Sequence, residues 1–319
     1  MLRLLGIICA ITILSCQKPK EKDPEKYLLP PSNVSEYEGK YKEIKERLFD
    51  RFLSDGYVIS RLNDTPYHLG DSLLWTGILL ASLDCEEVEK SFNGLTRSLD
   101  EHDGFFVRFL PLPAEYVGGR EVSWDGEVGA MFGWASLWRR CPSFHSQLRE
   151  YWEKHKNSVE NANELYPDTD ARLVSGFRVP FDSISNKLGF NSNVSNIRMA
   201  TLGFIMDRWT KLIVATKASC YRIHLMTITA LTQDLIDRPI PSLWKNRFCN
   251  NTNGLGLELT DLYCNRSNFK EFFEEFEYNR WEYKHQRCRQ WETPDSKEGL
   301  ETPAIDYLIL YKLAKEGIQ

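Results

Sequence analysis

Residues 71–83 read DSLLWTGILLASL and residues 125–138 read DGEVGAMFGWASLW. Wound as helices, both runs are apolar nearly all round, so each has to be wrapped by other elements. The segments that follow them are patterned differently. Val88, Phe92, Leu95 and Leu99 are spaced by 4, 3 and 4 residues, one apolar stripe on a polar helix. Phe144, Leu148, Tyr151, Trp152 and His155 form a second single stripe. The order along the chain is buried, one-sided, buried, one-sided. Consecutive helical hairpins that each put one helix inside and one outside build a double-layered ring or solenoid. A mainly α fold is expected.

The same texture continues outward from this core. Residues 36–53 are charged with apolar positions at helical spacing, residues 196–215 and 221–236 are long and apolar-rich, and residues 304–314 (AIDYLILYKLA) close the chain. Phe269, Phe272, Phe273 and Phe276 also sit at helical spacing. Strand signals are few; residues 104–110 (GFFVRFL) are the best short candidate, one arm of a hairpin in a loop. The whole has ordinary globular composition: 319 residues, 42% hydrophobic, 27% charged and 13% aromatic, with 40 Lys and Arg against 45 Asp and Glu. A net charge of −5 argues against a dedicated nucleic-acid binder, which carries a basic surplus. No nucleic-acid partner is expected, and the chain is read as a monomer.

The N-terminus reads as an address. Arg3 precedes an apolar run over residues 4–14, too short for a transmembrane helix, which needs ~20 residues. The run ends in Ile13-Leu14-Ser15-Cys16, and the chain turns polar at Gln17-Lys18-Pro19-Lys20. This resembles the bacterial lipoprotein signal, in which a small residue precedes a cysteine that is lipidated and becomes the first residue of the mature protein. The other reading is a cleaved secretory signal with an incidental cysteine. The resemblance implies a signal peptide over residues 1–15, a lipidated Cys16, and a lipid-anchored, exported protein of the bacterial cell envelope, facing the periplasm or in the outer membrane. Residues 17–34 are charged and Pro-rich, a tether that with Cys16 spans residues 16–34. Residues 35–319 are then one domain. Six cysteines remain besides Cys16: Cys85, Cys141, Cys220, Cys249, Cys264 and Cys288. In an exported protein they read as up to three disulfides, with free buried thiols the alternative. Cys249 and Cys264 are the best local pair, because turn formers (Asn250-Asn251-Thr252-Asn253-Gly254) lie between them. No cysteine has a partner at metal-ligand spacing, and no nucleotide-binding or serine-hydrolase motif is present, so no metal or cofactor is expected.

At the two buried helices the sequence repeats itself. Gly70-Asp71-Ser72-Leu73-Leu74-Trp75-Thr76-Gly77 and Ser123-Trp124-Asp125-Gly126-Glu127-Val128-Gly129 each put an acid at a helix start, and Pro303-Ala304-Ile305-Asp306 is a third copy. Together with Gly104-Phe105-Phe106-Val107-Arg108 ahead of Val122-Ser123-Trp124-Asp125-Gly126, this resembles the inner-helix pattern of six-hairpin, (α/α)6-toroid proteins. Glycosidases and polysaccharide lyases are common among them. Trp124 departs from the pattern, which carries Arg there. The motifs cover residues 70–135. The resemblance implies a toroid-like ring of helical hairpins with minor β structure in its loops, acting on a glycan.

Glycoside hydrolysis needs two carboxyls, one protonated and one ionised. Acids at inner-helix N-termini open at one mouth of such a ring, which makes Asp71, Asp125 and Glu127 the candidate catalytic residues, with Asp306 beside them. Asp125 and Glu127 diverge on a helix, so the expected pair is Asp71 with Asp125. Helix-start aspartates also serve as N-caps without any catalysis. Trp124 is placed to stack on a sugar, and His68 and Arg108 to bind a uronic acid or orient a carboxylate. Trp75, Trp134, Trp138 and His224 read as core. Two functions follow: a membrane-anchored glycoside hydrolase or lyase, or a non-catalytic surface lipoprotein using the same ring as a scaffold or glycan-binding module.

Overall fold

A computed structural model describes residues 34–67, 72–111, 122–161, 175–192, 196–216, 221–253, 255, 257–265, 273–274, 300–301 and 303–316. Within them the chain is mainly helical. The helices are α1 (Glu38–Arg47), α2 (Ser72–Ser82), α3 (Glu89–Glu101), α4 (Trp124–Arg140), α5 (His145–Asn161), α6 (Ser175–Lys187), α7 (Asn196–Thr216), α8 (Tyr221–Leu235), α9 (Ser242–Thr252), α10 (Glu258–Tyr263) and α11 (Ile305–Glu316). Inside and outside alternate as the hydrophobic patterns require. Every residue of α2 is buried, as is α4 from Gly126 to Leu137. By contrast α3 and α5 bury one stripe each, through Phe92, Leu95 and Leu99 and through Leu148, Trp152, His155 and Val159. One hydrophobic core runs from Val34 to Tyr311, with Trp75, Trp134 and His224 buried in it and Trp138 half-buried against it. Two indoles tie α5 to the buried helices α4 and α6: Trp134 Nε1 donates to the Leu148 carbonyl (3.1 Å) and Trp152 Nε1 to Ser185 Oγ (2.9 Å).

The buried helices run in one direction. Along α2 and α4, Leu73 lies against Gly126, Leu74 against Gly129, and Gly77 against Gly129 and Gly133, so the two ascend together with their backbones in contact. At the far end Arg140 donates to the carbonyls of Leu80, Ala81 and Leu83, which closes the C-terminus of α2 with the cation that its dipole favours. Asp237, just past α8, binds Arg139 at the end of α4 (2.8 Å) and Lys187 at the end of α6 (2.6 Å). Lys312 near the end of α11 binds Asp84, just past α2. Lys245 reaches both Asp234 near the end of α8 and the ring of Tyr263, the last residue of α10. The C-termini of α2, α4, α6, α8, α10 and α11 are therefore gathered at one end, and their N-termini face the other way.

Strands are short and sit near the N-terminal ends. Strand β1 (Leu53–Ser54) pairs with β2 (Tyr57–Val58), and β3 (Ser60–Leu62) pairs with both β4 (Thr65–Tyr67) and β5 (Leu300–Glu301), all antiparallel. Both hairpins close with two residues at positive φ, Asp55-Gly56 and Asn63-Asp64, the mirror-image turn that matches strand twist. Because β4 leads toward α2 and β5 toward α11, their shared neighbour β3 aligns the starts of those helices. Glu301 is further held by Arg47 (2.8 Å) and Arg51 (2.9 Å).

The strand expected over residues 104–110 does not form. Phe106, Val107, Phe109 and Leu110 are all buried, and Ser98 on α3 serves the local backbone, accepting from Val107 N–H and donating to the Phe105 carbonyl. With Ser98 bonded to both the Phe105 carbonyl and the Val107 N–H, those backbone groups are already satisfied without a second strand. Two disulfides are formed among the described residues. Cys249–Cys264 is the expected local pair, and Cys85–Cys141 joins the chain just past α2 to that just past α4. In the chain-entropy account, loops of 15 and 56 residues stabilise by about 3 and about 4 kcal/mol. Cys16, Cys220 and Cys288 lie outside the described residues, as do most of the Phe269–Phe276 stripe and the tether.

Candidate functional site

Three of the buried helices, α4, α10 and α11, carry an acid in the first turn. Asp125 is the second residue of α4, Glu258 the first of α10 and Asp306 the second of α11, all three half-buried. An acid in a first turn is favoured there by the helix dipole whether or not it does chemistry. The cap of α4, however, is Ser123 and not Asp125. Ser123 adopts extended backbone and its Oγ accepts from Gly126 N–H at 3.1 Å. Asp125 Oδ1 accepts from the same N–H at 3.0 Å, so the aspartate supports a cap that already exists.

Trp124, Asp125 and Glu127 share the first turn of α4 and point in different directions. Trp124 is half-buried, with its indole Nε1 shielded from solvent and without a hydrogen-bond partner among the described residues. Arg108, in the preceding loop, is also half-buried, and its Nε is likewise shielded and unpartnered among the described residues. The Nε atoms of Arg51, Arg61 and Arg97 are in the same condition, so what distinguishes Trp124 is its position in the first turn of α4. His68 and Asp71 lie outside the described residues, so the expected Asp71–Asp125 pair has no geometry.

Glu127 turns inward instead. It is fully buried, and its Oε2 lies 3.3 Å from Nε2 of His155 on α5, which is also fully buried. His155 Nδ1 lies 2.9 Å from the Gly104 carbonyl, an acceptor only, so Nδ1 carries a hydrogen. The two groups face each other at charge-contact distance, but neither the Glu127 oxygens nor His155 Nε2 meets hydrogen-bond geometry with a partner among the described residues. Phe106, Trp152 and Phe181 pack around the imidazole and exclude water. Tyr57 is near enough to feel this carboxyl. Burial above all, with the charge of Glu127 adding, raises its phenol far above the ordinary value, so it stays an O–H group. Full burial takes Glu127 out of direct reach of a solvent-borne substrate. In the sequence His155 is legible only as part of a hydrophobic stripe. The signal that points further is an acid on an otherwise apolar helix and a histidine on an apolar face, each of which needs a partner.

Among the described residues, no group of three or more His, Cys, Asp or Glu side chains is arranged to hold a metal ion. None of the helices there is long and apolar enough to cross a membrane. Compared with known proteins, the chain matches no family model, no curated protein and no solved structure.

Proposed function

We propose that the protein is a lipid-anchored, carbohydrate-active enzyme of the bacterial cell envelope, a glycoside hydrolase built as an (α/α)6 toroid-like ring. The observation that carries this reading is the common direction of the buried helices. The acidic first turns of α4, α10 and α11 lie at the end opposite the salt-bridged C-termini, with Trp124, whose indole N–H has no partner among the described residues, in the first of those turns. In the ring reading α2, α4, α6, α8, α10 and α11 form the inner layer, and α1, α3, α5, α7 and α9 belong to the outer one. A glycan at the mouth would meet Asp125 and Asp71 as the acid and base or nucleophile, with Arg108 and His68 for an acidic sugar and Trp124 for stacking. Glu127 would act from below, holding α5 against α4.

Replacing Asp125 or Asp71 with Asn tests the chemistry. Asn caps nearly as well as Asp, so the melting temperature should barely move, while turnover across a panel of glycans should fall by several orders of magnitude. If both variants keep wild-type turnover, those acids are not catalytic. Should the wild-type protein neither cleave nor bind any glycan, the scaffold function takes the place of the enzyme.

The anchor has its own test. Membrane association through acyl chains strengthens by ~0.8 kcal/mol per buried methylene, far more than exposed ionic contacts resist in high salt. Cys16→Ser is therefore expected to move the protein out of the salt-washed membrane fraction. Retention of the variant in that fraction would refute lipidation at Cys16.

A further inference from the structure

The large hydrophobic side chains exposed among the described residues are concentrated on one part of the surface. Phe204, Trp209, Leu212 and Val214 on α7 are 43%, 41%, 53% and 40% exposed, and Leu243 at the start of α9 is 55% exposed. Helix α7 buries Met199, Leu202, Met206, Thr210 and Ile213 on its inner side, and helical spacing puts Phe204, Arg208 and Leu212 on the opposite side with Trp209 flanking them. Cations are interleaved with these rings. Arg208 lies over Phe204, Arg222 over Trp209 and Arg247 over Trp244, at 5.2, 5.4 and 5.0 Å from the ring centres. The acid of α7, Asp207, is buried and bound by Lys211 and Asn251. Residues 196–252 hold eight Lys or Arg against three Asp, a surplus of +5 within a chain of −5.

We propose that this outer face of α7 and the start of α9 rests on an anionic membrane surface. Two features select lipid over an acidic polysaccharide, the other polyanion an envelope protein meets. Leu212, Val214 and Leu243 are aliphatic and offer a sugar ring nothing, whereas the acyl boundary of a bilayer accepts them. Guanidinium groups already cover faces of Phe204, Trp209 and Trp244 that a sugar would stack on, while arginine beside aromatic residues is the usual composition of an interfacial face. A net negative protein held at a negative membrane is repelled from it unless a basic side faces the lipid. The face would therefore set which way the domain sits. The inference rests on the envelope reading of the N-terminus and stands apart from the glycan reading.

Residues 17–319, which carry neither the apolar run over residues 4–14 nor Cys16, are sedimented with vesicles of equal parts phosphatidylglycerol and phosphatidylcholine, and with phosphatidylcholine alone. They should pellet with the first and stay in solution with the second, more weakly as salt is raised. Arg208→Ala and Arg222→Ala should each weaken binding by about fivefold. Leu212→Ser with Trp209→Ser should weaken it further, with a thermal melt beside it to show that the variant is folded at the temperature of the assay. Equal pelleting with both vesicle types, no pelleting at all, or unaltered binding by the arginine variants would overturn the proposal. So would binding to polygalacturonate through Arg208 and Arg222 without binding to vesicles.

Discussion

Gly77→Ala is expected to prevent folding or to cost about 5 kcal/mol, although alanine is the better helix former by about 1 kcal/mol. A Cβ at position 77 would lie 1.9 Å from the Gly129 carbonyl oxygen and 2.2 Å from its carbon. Both atoms are backbone, so nothing on α4 can rotate aside; one whole helix has to move. Gly129 and Gly133 have the same problem toward Leu74 and Gly77, so the two helices meet backbone to backbone over two turns. Separating them opens voids along the most buried seam of the protein, and interiors packed to crystal density do not absorb that. Gly39 supplies the opposite sign, being exposed in α1 with open space for 4 Å around the position of a Cβ. Gly39→Ala should be neutral or stabilise by up to ~1 kcal/mol. Urea denaturation of the two variants checks the pair. A Gly77→Ala protein as stable as the wild type would mean that α2 and α4 are not in backbone contact.

The second large effect is expected at the buried Glu127–His155 contact. His155→Leu leaves a carboxyl in the core with no partner, and losses of about 3–5 kcal/mol are typical of such a change. Glu127→Gln should cost much less, because its amide can donate to the Nε2 that faces it while Nδ1 stays bonded to Gly104. The joint variant Glu127→Met with His155→Phe removes both polar groups and should recover most of the loss, since an apolar pair of similar volume needs no proton and no partner. Chemical denaturation of the three variants ranks these losses. A loss under 1 kcal/mol for His155→Leu would show that the two side chains do not depend on each other. Glu127→Gln also separates structure from chemistry. If the carboxyl only holds α5 against α4, this variant keeps glycan turnover; loss of turnover at unchanged stability would return Glu127 to the catalytic set.

The alternation of buried and one-sided helices is readable from residues 71–155, because burial on all sides and burial on one stripe leave different periodicities in the chain itself. The Cys249–Cys264 disulfide is readable for a similar reason: few residues separate the two, and turn formers fill the gap. Two hairpins escape a reading by periodicity. Asp55-Gly56 and Asn63-Asp64 are turn pairs between short apolar runs, but strands of two or three residues are too short for an alternation to register. The converse holds at residues 104–110, where an apolar run with the look of a strand is instead packed irregularly beneath α3.

What the sequence alone determined was local: which stretches wind into helices, which of their sides are apolar, and which residues turn the chain. The tertiary structure decided which apolar side meets which. It matched Gly77 to Gly129 and Glu127 to His155, tied Cys85 to Cys141, and left Phe204, Trp209 and Leu212 of an apolar-rich helix facing solvent. The physical reason is that the hydrophobic effect is non-directional. A pattern of apolar residues states that a surface has to be covered, and only the packed assembly of helices settles what covers it.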